Sequence, residues 1–167
     1  MNLPKPTKWS AIKVNNDFIC VSTESGYRGS SLDASGVQTL LKPPPLPADL
    51  GKAVIDSLYA SRMLRSSEEI DDFFLLQNVT KRYNTWVSEL MSLYGYTNKN
   101  SLFKKMKNCF VESFDELIYF KPSHHEKLEL WTGKGISEKD WVIIPKHSTP
   151  EEIGQAALLA LDRCSGN

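Results

Sequence analysis

Apolar and polar residues alternate on both sides of Asn15-Asn16 in "KWSAIKVNNDFICVST". A period of two marks a half-buried strand, and asparagine tolerates the positive φ that a tight two-residue turn demands. The stretch therefore predicts an antiparallel hairpin over about 9–14 and 17–23. The segment after it, "ESGYRGSSLDASG", has no such alternation and reads as a mobile loop rich in Gly and Ser. From Ser66 the period changes. Ser66 and Glu69 have capping-box spacing, and Tyr83, Trp86, Val87, Leu90, Met91 and Tyr94 keep a helical stripe that Gly95 closes as a C-cap. Residues 67–94 are either one helix or two with a break near Asn78. A short basic helix, "NSLFKKMK", is expected at about 100–107, and two short strands around Asp115-Glu116, ended by Pro122. "WVIIP" is nearly all apolar, as an interior strand of a sheet covered by helices would be.

The pattern also repeats. "TLLKPPPLPADLGKAVIDSLYAS" from Thr39 aligns without a gap on "VIIPKHSTPEEIGQAALLALDRC" from Val142, at a constant offset of 103. Pro47 falls on Pro150, Gly51 on Gly154, Ala53 on Ala156 and Leu58 on Leu161, so one strand-turn-helix unit occurs twice. In the second copy Thr149 can cap, Pro150 suits the first helical position and Glu151 and Glu152 favour the positive end of the dipole. Ile153, Ala156, Ala157, Ala160, Leu161 and Cys164 form an apolar stripe that Leu50, Ala53, Val54, Ser57, Leu58 and Ser61 repeat. Glycine early in a helix costs about 1 kcal/mol against alanine, so its recurrence as Gly51 and Gly154 points to close backbone packing rather than a phosphate loop. The elements predict an α+β fold: a single domain over 1–167 with a mixed or antiparallel sheet of about six strands and four or five flanking helices.

Composition narrows the function more than the fold. The 167 residues carry 20 basic and 20 acidic side chains, so no overall field gathers polyanions, and direct nucleic-acid binding is not expected. The longest apolar runs, "WVII" and "AALLAL", fall far short of the roughly 20 residues that span a bilayer. "MNLPKPTKW" has no apolar stretch behind its lysines, which speaks against a secretion signal and for a cytoplasmic protein. Cys20, Cys109 and Cys164 fit neither a disulfide framework nor a CxxC metal site and read as buried thiols.

Candidate chemistry centres on "PSHHEKLELW". His124 and His125 are neighbours and point to opposite faces of an extended segment, whereas two ligands of one metal usually stand at i, i+2 on a strand or i, i+4 on a helix. His147 brings no ligand spacing, so neither a metal nor another cofactor is expected. A phosphodiesterase or RNase using His124, His125 and Lys127 is the enzymatic alternative, but acid-base groups must converge on one substrate and sequence neighbours seldom do. The histidines therefore read as scaffold. An RNA-binding module built on "KKMKN" is a third reading. Glu68, Glu69, Asp71 and Asp72 crowd the start of a helix, which suits the dipole and equally suits a basic partner, with Phe73 or Phe74 as an apolar anchor.

Several linked segments, "RYNTWVSELMSLYGY", "SLFKKMKNC", "PSHHEKLELWTGKG" and "WVIIPKHSTPEEIGQAALLALDRC", resemble the CdiI family of immunity proteins from contact-dependent growth inhibition systems, over about Tyr83 to Cys164. Pro122, His124, His125, Lys127, Leu128, Glu129 and Trp131 match the family run, and Ser123 stands where threonine is expected. The resemblance implies a protein without catalytic or cofactor-binding residues that binds the C-terminal domain, often a nuclease, of a cognate toxin. It implies a structural role for the matched run, while the contact surface is where members should differ. On local chemistry the toxin interface is expected at Glu68, Glu69, Asp71 and Asp72, then at Tyr27 and Arg28.

Overall fold

The computed structural model describes residues 3–166. The first hairpin joins β1 (Lys8–Val14) to β2 (Ile19–Gly26) in antiparallel register, Ile12 opposite Val21. Its turn differs from expectation. Asn15 and Phe18 close the loop through a backbone bond, and the Asn15 side-chain oxygen accepts from the N–H groups of Asp17 and Phe18, so side-chain bonding replaces positive φ. The left-handed turn lies instead at Asp115 and Glu116, φ 51° and 64°, between β5 (Lys107–Phe114) and β6 (Leu117–Lys121).

The supposed mobile loop is built into the sheet. β3 (Ser30–Leu32) folds back on the end of β2, and the chain then returns as β4 (Gln38–Leu41) beside the start of β2. Ser25 and Asp33 are buried there and hydrogen-bonded to each other at 2.6 Å. The main sheet runs β3-β2-β1-β5-β6-β9, with β4 also on β2. β9 (Val142–Pro145) is at the edge, not the interior, and Ile143 is 47% exposed. Its apolarity has two separate causes: Val142 and Ile144 pack on the core, while Ile143 faces out. A second sheet of three short strands, β10-β7-β8, holds His124–Lys127 (β7), Leu130–Thr132 (β8) and Ser165–Gly166 (β10).

The repeated unit is observed directly. α1 (Pro47–Tyr59) and α5 (Pro150–Asp162) begin and end at equivalent residues and pack against each other on one face of the sheet. A methyl group built on Gly51 would lie 1.7 Å from the Pro150 carbonyl oxygen, and one on Gly154 would lie 1.7 Å from that of Pro47. The two contacts are equivalent, one made by each helix on the first turn of the other. Strand pairing obeys the same two-fold relation: β2 with β4 matches β6 with β9, and Ile12 opposite Cys109 matches Val111 opposite Ser10. The axis therefore passes through the Ala11–Phe110 pair at the centre of the sheet.

Between sheet and α1/α5 lies the larger core, with Ile12, Val21, Leu50, Val54, Val111, Phe120, Ile153 and Ala157. The other face is covered over its first half by α3 (Leu76–Tyr94) and α4 (Lys99–Phe103), which enclose Phe18, Cys20, Trp86, Leu90, Phe103 and Met106. The long helical region breaks at Leu75, whose extended ψ of 128° ends α2 (Ser67–Phe74), three residues before Asn78. Asn78 marks the break all the same, because its side-chain N–H donates to the Asp72 carbonyl. The basic helix is shorter than expected. It ends at Phe103, Lys104 and Lys105 are exposed, and Met106 is fully buried rather than part of a solvated face.

Candidate functional site

The acidic cluster sits on α2 and divides by role. Ser66 Oγ accepts from the Glu69 N–H, and the Glu69 carboxylate accepts from the N–H groups of Arg65 and Ser66, which hold its pKa below the usual carboxylate range. Glu69 is thus committed to the helix end. Glu68 and Asp71 are exposed on the first two turns. Asp72 borders a cleft of about 580 Å³ between α3 and the β2–β4 region, lined also by Asp33, Gln38, Lys81, Arg82, Trp86 and Glu89.

Neither phenylalanine beside the cluster is a free anchor. Phe73 is 7% exposed and lies under the Arg82 guanidinium, 4.1 Å from the ring centre, while Phe74 stands edge-on to it and is half-buried. The exposed apolar side chains are Leu75, 47%, and Leu76, 76%, at the helix break. They lie off the apolar stripe, which was the one signal available for them.

Tyr27 and Arg28 occupy the β2–β3 tip, with the guanidinium 5.4 Å from the tyrosine ring. Gly26 bridges to Met63, its N–H bonding the Arg62 carbonyl and its carbonyl receiving the Leu64 N–H. This pins the tip to the segment that leads into α2. The connection is anchored by residues that carry no sequence motif. Burial pushes the Asp33 pKa up, but hydrogen bonds from Arg62, Ser25 and the Ser35 N–H outweigh it and hold the carboxyl below its ordinary range. Arg82 donates to the carbonyls of Leu32 and Phe73, tying β3 to the end of α2.

The histidine run lies elsewhere, in β7. The His125 ring stacks on Trp131, centroids 4.6 Å apart and 9° from parallel, and its Nε2 lies 2.9 Å from the Leu128 carbonyl, to which it must donate. His124 Nδ1 instead meets Ser165 Oγ at 2.8 Å. Trp131 donates to the Met106 carbonyl, and Glu129 accepts from the Tyr83 hydroxyl. Burial, then that bond to a carboxylate, raises the Tyr83 pKa far above normal. Pro122 and Ser123 are buried beside this strand, Lys127 is exposed, and Leu128 is 37% exposed. The two imidazoles engage different partners, Ser165 and Leu128, Lys127 is exposed, and Gly154 lies apart in the helix crossing. His147 pairs with Glu116 at 3.1 Å on the surface. Among the described residues no group of three His, Cys, Asp or Glu side chains could hold a metal, and no helix is long and apolar enough to cross a membrane.

A scaffold that engages its histidines in packing, and offers acidic and apolar groups on an open surface, is suited to holding another macromolecule. The model of the CDI immunity protein family, CdiI, matches residues 8–164. The chain belongs to the CdiI family. One curated CdiI relative, the immunity protein CdiI-YPIII of Yersinia pseudotuberculosis serotype O:3 (strain YPIII), is 41% identical over 99% of this chain and 100% of its own. A chain of the CdiA-CT/CdiI toxin and immunity complex from Yersinia pseudotuberculosis superimposes with a TM-score of 0.90 at 39% identity, covering 98% of this chain and 99% of that one. A Neisseria meningitidis protein of unknown function, NMB0488, superimposes with a TM-score of 0.89 at 31% identity over the same shares. The CdiI match thus extends well beyond the C-terminal half in which the linked motifs are concentrated.

Proposed function

We propose that this CdiI-family chain binds and neutralises the C-terminal toxin domain of a cognate contact-dependent growth inhibition effector, in the cytoplasm of the bacterium that makes both. It acts by occupancy and turns over no substrate. The observation that carries this reading is the likeness, across nearly the whole chain, to an immunity protein and to a chain of a solved toxin and immunity complex. The toxin domain is a nuclease in this reading. A nuclease presents cations to phosphate, and the exposed Glu68, Asp71 and Asp72, with Tyr27 and Arg28 alongside and Glu69 holding the helix end, offer it a local field despite a net charge of zero.

The test is to express the toxin domain of the same locus with and without this chain, and to assay the purified toxin on RNA and DNA. Growth and intact nucleic acid are expected only when the chain is present at one equivalent or more. Growth arrest that persists despite abundant folded chain would remove the proposal. Intact nucleic acid with growth still arrested in its absence would retain immunity and discard the nuclease.

A further inference from the structure

α2 is held to the rest of the molecule by little apolar contact. Phe73 is the one buried residue among its eight, whereas the five-residue α4 buries two side chains and α1 and α5 bury six each. Ile70 and Phe74 are half-buried, and the Phe73 ring joins neither hydrophobic cluster. That ring lies instead against the Arg82 guanidinium, 4.1 Å from its centre, and Arg82 donates to the Phe73 carbonyl at 2.7 Å. The other holds are polar. Asn78 donates to the Asp72 carbonyl at 2.8 Å, while Asp72 stands in the field of Arg82 and Glu69 in that of Arg62. Both arginines are fixed to the body of the protein, Arg62 by Asp33 at 2.9 Å and Arg82 by the Leu32 carbonyl at 2.8 Å.

On either side of α2 the chain has a place to turn. Leu64 is buried and its N–H is pinned to the Gly26 carbonyl, but Arg65 after it is exposed, and Leu75, extended between two helices, is 47% exposed. The residues that hold α2 also border a cavity. Asp72, Asn78 and Arg82 line the cleft of about 580 Å³ beside Leu32 and Asp33, so the seat of α2 and the cleft share a wall.

We infer that α2 is a lid on this cleft, docked here, latched by charge and a single ring, and released about Arg65 and Leu75 while the rest of the fold stays intact. Such a latch has a physical signature. Sodium chloride does not weaken apolar burial, but it does weaken attraction between partly exposed charges, because the screening length falls from about 10 Å at 0.1 M to about 3 Å at 1 M. The lid therefore opens as ionic strength rises, and equally when the cations of a partner compete with Arg82 for Asp72. An eight-residue helix has little stability away from its support, so backbone amide exchange in α2 reports its release. The latch belongs to the free chain and requires no toxin.

The experiment is hydrogen–deuterium exchange of the intact chain, read by mass spectrometry at about 0.1 M and about 1 M sodium chloride, in wild type and in Arg82→Gln, which keeps a donor for Leu32 and removes the charge. Peptides covering Ile70 to Phe74 should exchange at least about 10-fold faster than those covering Trp86 to Leu90. At the higher salt they should speed up by a further factor of about three or more, while Trp86 to Leu90 change by less than about 1.5-fold. In Arg82→Gln the α2 peptides should already be fast at low salt and respond little to more. Oxidation of Phe73 by hydroxyl radicals, which needs no variant, should rise with salt in the wild type while that of the fully buried Phe103 does not. Exchange of α2 only in step with Trp86 to Leu90, a wild type indifferent to salt in exchange or in Phe73 oxidation, or an unchanged salt response in Arg82→Gln overturns the lid.

Discussion

At Asp33 burial and hydrogen bonding oppose each other, and hydrogen bonding wins. Its side chain is 2% exposed, whereas that of its partner Arg62 is 53% exposed, so water screens part of the pair and the remaining bonds from Ser25 and Ser35 matter more. Asp33→Asn should lower stability by about 1–3 kcal/mol at pH 7. Because the folded pKa lies below the ordinary value of 3.8, the contribution is fully present above that pH and is lost as pH falls through the folded value. Urea denaturation at pH 7 and pH 3 checks this: the gap between wild type and variant should narrow at the lower pH. His125→Ala should likewise lower stability, by about 1–2 kcal/mol, through loss of the Trp131 stack and the bond to Leu128. It should leave no nuclease activity to lose, whereas RNA cleavage by the wild type that this variant abolishes while staying folded would restore the enzymatic reading. The adjacency of the histidines was legible in sequence. Which group each ring meets depended on the β7–β8 turn, which brings the Leu128 carbonyl to His125, and on Ser165 arriving from the distant C-terminal strand.

Helix geometry explains why the repeat could be seen along the chain and why its consequence is reciprocal. α1 and α5 cross where neither carries a side chain, so each backbone carbonyl occupies the space a Cβ would need. Gly51→Ala and Gly154→Ala should each lower stability by about 1–3 kcal/mol by forcing the helices apart. The double variant should lose less than the sum, since the first methyl already opens the crossing for the second. Thermal or urea unfolding of the three variants measures this, and strict additivity would mean that the two contacts are independent. The capping boxes at Ser66/Glu69 and Thr149/Glu152 were readable because their chemistry is local. The exact place of the break, at Leu75 rather than Asn78, and the edge position of β9 were not, because both are set by what packs alongside: Arg82 over Phe73 in one case and the end of the strand order in the other.

For the whole molecule, a net charge of zero leaves recognition to the distribution of charge. Glu68→Lys with Asp71→Lys should slow toxin association at low ionic strength, and the difference should shrink as salt brings the screening length to about 10 Å or less. Neither residue serves the helix cap, so melting should be nearly unchanged. Glu69→Lys breaks the capping box and should lower the melting temperature, a contrast that separates steering from scaffold. Stopped-flow association across a salt series, with melting curves for each variant, reads both effects. Equal association rates for wild type and the charge-reversed chain would move the contact surface away from α2.

Periodicity, caps and the internal repeat were written along the chain because each depends on residues a few positions apart, or on one pattern occurring twice. They carried the α+β class, most elements and the equivalence of Gly51 and Gly154 as places of close backbone packing. The order of strands and the joining of the Tyr27 tip to the segment that leads into α2 came only with tertiary structure. Those properties depend on which distant segments lie side by side, which no local pattern encodes.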